Sequence, residues 1–252
     1  MSSASVLISP KMPLTCDKRG MRNSLRIGGF TPFSAADYPG KLAAVVFVQG
    51  CPWRCSYCHN LHLQERGTAT ELTWDAIRGF LSRRTGLIDA VVFSGGEATM
   101  DPALALAMKE VRELGFLVGL HTACIYPKQL ERVLPLLNWV GFDVKAPLED
   151  YAAITGVQGS GRAVQQCAEM ILASGVDYEC RTTIHPSLLS EQKIMALALE
   201  LSAIGVQHYV LQKFRTQGCQ TKALNQALIA DYPSLALQEK IRALFPSLLI
   251  RA

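Results

Sequence analysis

Between Gln49 and Asn60 the sequence reads QGCPWRCSYCHN and brings Cys51, Cys55, Cys58 and His59 within twelve residues. Thiolates and imidazoles are ligands for transition metals, and this spacing allows three chemistries. Cys55 to His59 reads CxxCH, the haem-attachment pattern. The three thiolates with His59 could close a tetrahedral zinc site. Three thiolates alone, spaced CxxxCxxC, could hold an iron–sulfur cluster with one iron left open. The other five cysteines, Cys16, Cys124, Cys167, Cys180 and Cys219, are scattered without paired spacing. They read as small buried or surface thiols and are assigned no metal.

Further polar groups recur downstream in short clusters: Ser94-Gly95-Gly96-Glu97-Ala98-Thr99, His121-Thr122, Asp143-Val144-Lys145, Arg181-Thr182 and Gln212-Lys213-Phe214-Arg215. Each follows, ends or, for Arg181-Thr182, lies within a segment that reads as a strand: 42–48, 90–93, 117–120, 140–144, 178–184 and 208–212. Amphipathic or capped helices alternate with them. Thr73 caps TWDAIRGFLSRR, Pro102 opens a helix to Leu114, and Pro127–Leu137 is helical until Pro135 ends it. Arg162–Ser174 is closed by Gly175, Ser190–Ile204 by Gly205, and a last helix lies near Leu237–Leu244. Such alternation predicts βαβ units and a parallel sheet. Six units are too few for an eight-fold barrel and suit an α/β fold of the partial (β/α)6, TIM-like kind. Residues 1–24 lack periodicity and read as a flexible arm, with 25–252 as one domain. In this fold ligand chemistry gathers at the C-terminal ends of the strands, where all the polar clusters fall. A zinc knuckle would not need six such ends; a cluster with a polar cofactor across the barrel mouth would.

The chain has 252 residues, 49% apolar, with 25 Lys and Arg against 21 acids and a net charge of +4. That small excess points to neither nucleic acid nor a membrane surface as partner. The N-terminus shows no secretory signal, and the longest apolar run, Leu42–Val48, is far too short to span a bilayer. A cytoplasmic location is expected, where cysteines serve as metal ligands or free thiols rather than disulfides. Covalent haem attachment is disfavoured there.

With CxxxCxxC after the first predicted strand, an aromatic before the third cysteine and GGE after the second strand, the sequence resembles the radical S-adenosylmethionine (SAM) superfamily. The stretch GGFTPFSAADYPGKLAAVVFVQGCPWRCSYCHN, Gly28 to Asn60, resembles the opening of glycyl-radical-enzyme activases. It is most similar to the subgroup of anaerobic ribonucleoside-triphosphate reductase activating proteins, over roughly residues 26–215. The resemblance implies a [4Fe–4S] cluster on Cys51, Cys55 and Cys58, with the fourth iron chelated by SAM. Reductive cleavage of SAM would give a 5′-deoxyadenosyl radical that takes a hydrogen atom from a glycine of the partner.

It also implies cofactor contacts. Tyr57 would lie against the adenine, and Gly95, Gly96 and Glu97 would receive the methionine ammonium. Thr122, Asp143 and Lys145 would lie near the ribose or a monovalent cation, and Arg181 near the carboxylate. Two departures stand out: Ala98 replaces a common Pro, and His121 stands where formate-lyase activases carry Asp, which puts the cation in doubt. Asp37 either contacts the partner loop or caps a turn; Arg215 is a weaker candidate at the rim. Implied partners are a glycyl radical enzyme, foremost anaerobic ribonucleotide reductase, and an electron donor such as flavodoxin or ferredoxin. The alternatives are an activase of a formate-lyase-type enzyme, a radical SAM enzyme acting on a small molecule, and a zinc- or haem-binding module. A carboxy-deazaguanine synthase-like ring contraction is among the small-molecule readings, but that family tends to a longer gap within the cysteine motif.

Overall fold

The apolar run AAVVFV becomes strand β2 (Ala43–Val48), buried at every position except half-buried Phe47, as expected for a parallel strand covered on both faces. In the computed structural model, which describes residues 24–68, 70–226 and 231–251, it is followed by β3 (Ala90–Gly95), β4 (Leu117–Thr122), β5 (Trp139–Asp143), β6 (Asp177–Ile184) and β7 (His208–Lys213). These are the six strands expected from the sequence. The sheet carries one more at each edge: β1 (Ile27–Ser34), antiparallel to β2, and β8 (Ser247–Arg251), parallel to β7. Strand order follows chain order from β1 to β8, so the sheet is open, with β1 and β8 as its edges. Pro32 within β1 fits an edge strand, where a missing N–H leaves no ladder bond unmade.

The helices are α1 (Trp74–Ser82), α2 (Leu104–Glu113), α3 (Pro127–Val133), α4 (Tyr151–Thr155), α5 (Ser160–Ser174), α6 (Glu191–Ala203), α7 (Lys222–Gln226) and α8 (Leu235–Arg242). Capping follows the sequence: Thr73 and Ser190 accept from Ala76 N and Lys193 N, and Gly175 stands at φ +74 past the end of α5. Helix α2 starts at Leu104 rather than Pro102, because Asp101 turns the chain first, its carboxylate accepting from Ala103 N at 2.9 Å. The short helices α4 and α7 were not expected; five residues carry too little periodicity to be read.

Alternation along the strands sorts two cores. Val46, Val48 and Phe93 pack with Trp74, Leu81, Leu104 and Met108 of the helical layer. Ala43, Val45, Ala90 and Val92 point the other way, onto Tyr38 and Trp139, whose rings are 5.1 Å apart and fill the concave side. Above this plug the strand ends stay polar. No helix among the described residues is long and apolar enough to cross a membrane. Of the expected N-terminal arm, residues 1–23 lie outside the described residues, as does Cys16.

Candidate metal centre

The cysteine loop starts where β2 stops. Gly50 turns it at φ +104, and a Cβ there would sit 3.1 Å from the Met100 sulfur. Backbone bonds then hold the loop on two sides. Gly50 N and Cys51 N donate to Leu63 O and Gln64 O at 2.8 and 3.0 Å; Arg54 N and Ser56 N donate to Thr155 O and Ile154 O at 3.0 and 3.4 Å. Trp53 packs edge-on to Tyr151 at 6.0 Å. Cys51, Cys55 and Cys58 are half-buried, whereas Cys124, Cys167, Cys180 and Cys219 are buried. Burial pushes the Cys51 thiol up to about 11 and also raises Cys55, with Lys145 opposing it at both. Such thiols stay protonated until a metal displaces the proton.

His59 is engaged elsewhere. Its Nε2 lies 2.8 Å from the Arg215 carbonyl, and its ring packs on Phe214 at 5.4 Å. Nε2 is therefore engaged, which leaves Nδ1 as the free ring nitrogen of His59. Among the described residues no three His, Cys, Asp or Glu side chains, the three loop cysteines included, stand close enough together to hold a metal ion as they are. Three thiols on one loop, spaced CxxxCxxC, fit a cluster that keeps one iron open.

Directly beside this loop, β3 ends in Gly95 and Gly96. A Cβ on Gly95 (φ +124) would lie 2.3 Å from Val48 O, and one on Gly96 would lie 2.4 Å from Gly50 O. The contact these glycines permit in this structure is thus with the backbone leading into the cysteine loop. Gly96 N and Glu97 N seal it by donating to Val48 O and Gly50 O at 3.0 and 2.8 Å. Glu97 is 1% exposed. Its Oε1 accepts from Thr99 N (3.3 Å), the Thr99 hydroxyl and Thr122 Oγ1 (2.8 Å); Oε2 accepts from Ala123 N (2.8 Å). Burial raises this carboxyl, and those donors oppose the rise. Oε2, with a single donor, retains acceptor capacity for a ligand. Ala98 is fully buried.

The next strand ends supply cations. Asp143 on β5 lies 3.1 Å from Lys145 Nζ and 3.3 Å from Arg181 Nε. Burial works against its charge, but the two cations outweigh it and hold the carboxyl below the usual range. Arg181 crosses β5 because Gly141 has no side chain: a Cβ there would be 2.7 Å from the guanidinium carbon, and Arg181 Nη2 donates to Gly141 O at 3.0 Å. Lys145 Nζ sits over the buried Tyr57 ring, 5.5 Å from its centroid, and Lys145 N donates to the Tyr151 hydroxyl at 2.7 Å. Two buried polar atoms in this group have no hydrogen-bond partner, the Tyr57 hydroxyl and Arg181 Nε. The Asp143 oxygen near Nε is close enough for charge attraction but not aligned for a hydrogen bond. Such orphans suit a site that a polar ligand completes.

At the inner wall, His121 Nε2 lies 2.9 Å from Asp37 O, and its ring is edge-on to Trp139 at 5.5 Å. Burial, then the Arg181 charge, lowers His121 to about 4 despite Asp37, so the ring is neutral. Asp37 itself accepts from the Ser34 hydroxyl across the turn after β1, as a cap would. Thr182 is structural, donating to Val144 O at 2.6 Å and accepting from the Tyr209 hydroxyl at 2.9 Å. At the end of β7, Gln212 and Lys213 are half-buried, and Arg215 is exposed, meeting the site through its carbonyl. Tyr151 and Gly141 are the residues that sequence reasoning missed. No motif marks them; the one works through its hydroxyl from an unexpected helix, the other through an absent side chain on a neighbouring strand.

Residues 45–201, more than half of the chain, match the model of the Radical SAM superfamily. The chain is 31% identical over 225 residues to the pyruvate formate-lyase-activating enzyme of Clostridium pasteurianum, covering 86% of this chain and 89% of that protein. It is 30% identical over 199 residues to a Methanocaldococcus jannaschii protein provisionally named glycyl-radical enzyme activating enzyme, covering 75% and 79%. In fold it is similar to QueE from Escherichia coli, with a TM-score of 0.54 at 15% identity over 91% of this chain and 94% of that one.

Proposed function

The chain belongs to the radical SAM superfamily, which works with a [4Fe–4S] cluster and S-adenosylmethionine, and we propose that it is an activase that places a glycyl radical on a partner enzyme. The observation that carries this reading is the set of three half-buried thiols beside buried Glu97, with Lys145 and Arg181 on the facing strand ends. When bound and reduced, the cofactor pair supplies a carbon-centred radical that removes a hydrogen atom from the target.

The protein's own part is positioning and exclusion of water. Cys51, Cys55 and Cys58 hold the cluster. Glu97 would accept from the ammonium, and the surplus positive charge of Lys145 and Arg181 over Asp143 would attract the carboxylate. Tyr57 and Thr122 border the nucleoside side. The open edge between β1 and β8 gives a glycine-bearing loop of another protein a way in. Residues 25–252 act as one domain, in the cytoplasm, with flavodoxin or ferredoxin as the class of electron donor.

Within the activases we assign anaerobic ribonucleoside-triphosphate reductase as partner, supported by the Gly28–Asn60 stretch. The second reading, a formate-lyase-type partner, is favoured by the name of the Clostridium pasteurianum relative. The experiment is electron paramagnetic resonance of the reduced protein mixed with SAM and either candidate. A doublet on the reductase that collapses when the glycine α-hydrogen is deuterium supports the assignment. A doublet on the formate lyase alone reverses it. SAM cleavage without a radical on any glycyl radical enzyme of the host overturns the activase reading in favour of a small molecule.

A further inference from the structure

After β7 the chain does not pass straight into a helix; residues 214–221 first run back across the cysteine loop. Phe214 is held between two imidazoles, 5.4 Å from His59 and 5.1 Å from His185. His59 Nε2 is 2.8 Å from Arg215 O; because that neighbour is a carbonyl, Nε2 carries the proton and donates. Thr221 Oγ1 donates to Ser56 O at 2.5 Å. Gly218, at φ +88, approaches so closely that a Cβ there would lie 2.7 Å from His59 O. The far end is anchored by Asn225 Nδ2, which donates to Cys219 O at 3.1 Å.

These contacts join parts of the chain about 160 residues apart and add a third brace to a loop already held near residues 63–64 and 154–155. We propose that segment 214–221 is a latch on the cysteine loop, with His59 and Thr221 as positioning residues and Gly218 as the point of close approach, and that its job is to retain the bound cluster. The proposal rests on the cluster reading above. The His59 and Thr221 bonds are exposed, so the latch is able to open. A loop fixed before the metal binds loses less freedom on binding, and a ligand that detaches from it is returned to place.

The test is iron release from anaerobically reconstituted protein to a ferrous chelator. His59→Ala removes the donor, and Gly218→Ala forces the segment away while leaving every hydrogen-bonding side chain in place. Each is expected to speed iron release roughly tenfold, the factor that a lost hydrogen bond of about 1.4 kcal/mol represents. His59→Gln, which still offers an N–H, should restore most of the wild-type rate, a rescue that a general loss of packing would not give. Trypsin cleavage after Arg215 in the metal-free protein should quicken in parallel. Thr221→Val serves as the second variant should His59→Ala not fold. Release at the wild-type rate in Gly218→Ala and Thr221→Val overturns the latch. Stoichiometric loss of one iron in His59→Ala also overturns it, because His59 would then be a ligand. A wild-type protein that holds no iron after reconstitution overturns the cluster reading itself.

Discussion

Asp143 and Arg181 are Cα partners on adjacent parallel strands, and the Arg181 Nε lies 3.3 Å from Asp143 Oδ1. With Lys145 Nζ 3.1 Å from the other oxygen, one carboxylate is shared by two cations. The group is left one positive charge in excess, a setting for an anionic ligand. The arrangement depends on Gly141, since a Cβ there would come within 2.7 Å of both the guanidinium and the Trp139 ring. Gly141→Ala should therefore displace Arg181 and destabilise the fold by about 1–3 kcal/mol through overpacking. SAM affinity of the reconstituted protein should fall about tenfold, the equivalent of one charge-assisted contact. Denaturant unfolding and a binding titration check the two effects; unchanged affinity would mean that Arg181 does not meet the cofactor.

The sequence made legible whatever is encoded locally. Strands β2, β3, β4 and β5 open on apolar runs, and Thr73, Ser190 and Gly175 mark helix ends as their chemistry requires. The edge strands escaped notice. IGGFTPFS carries two glycines and a proline, and SLLIR has only five residues next to a helix. In the site, the spacing of Cys51, Cys55 and Cys58 was readable because all three ligands sit on one loop. The four-donor environment of Glu97, the passage of Arg181 over Gly141 and the His59–Arg215 bond were not. Each joins residues from different strands or loops, and only the folded chain brings them together.

Replacing Cys51, Cys55 or Cys58 by Ala should each abolish cluster assembly, since three thiolates are the fewest that hold it in place. Cys124, Cys167, Cys180 and Cys219 are buried, and their Ala variants should keep full iron while losing on the order of 1 kcal/mol each in packing. Iron and sulfide assays with the visible spectrum decide the matter. Full iron content in Cys55→Ala would sink the ligand assignment.

Glu97 acts both as a ligand group and as part of the fold. Glu97→Ala leaves Thr99 N, Thr122 Oγ1 and Ala123 N without their acceptor, so it should lower the unfolding midpoint as well as SAM binding. Glu97→Gln keeps the shape and one acceptor oxygen. It should retain the cluster but weaken SAM binding about ten- to a hundredfold, the worth of a charge-assisted hydrogen bond of roughly 1.5–3 kcal/mol. Calorimetric titration of both variants separates the two roles. Equal affinity in Glu97→Gln and wild type would confine Glu97 to the fold.

His121 gives the protein a predictable acid sensitivity. Burial, and then the Arg181 charge, lower its pKa to about 4 in the folded state, against an ordinary 6.5. Below pH 6.5 the unfolded chain therefore binds a proton at this position that the folded chain refuses, and stability falls with pH until the folded pKa is reached. Between pH 7 and pH 5 the loss from this group is on the order of 2 kcal/mol. His121→Gln keeps an N–H able to reach Asp37 O but has no proton to gain. At pH 7 the variant should be less stable than wild type, because it loses the ring contact with Trp139 at 5.5 Å. At pH 5 that gap should narrow or reverse. Urea unfolding of the metal-free protein at several pH values is the measurement. Parallel stability curves for the two proteins would show that His121 takes up its proton in the folded state as readily as in the unfolded chain.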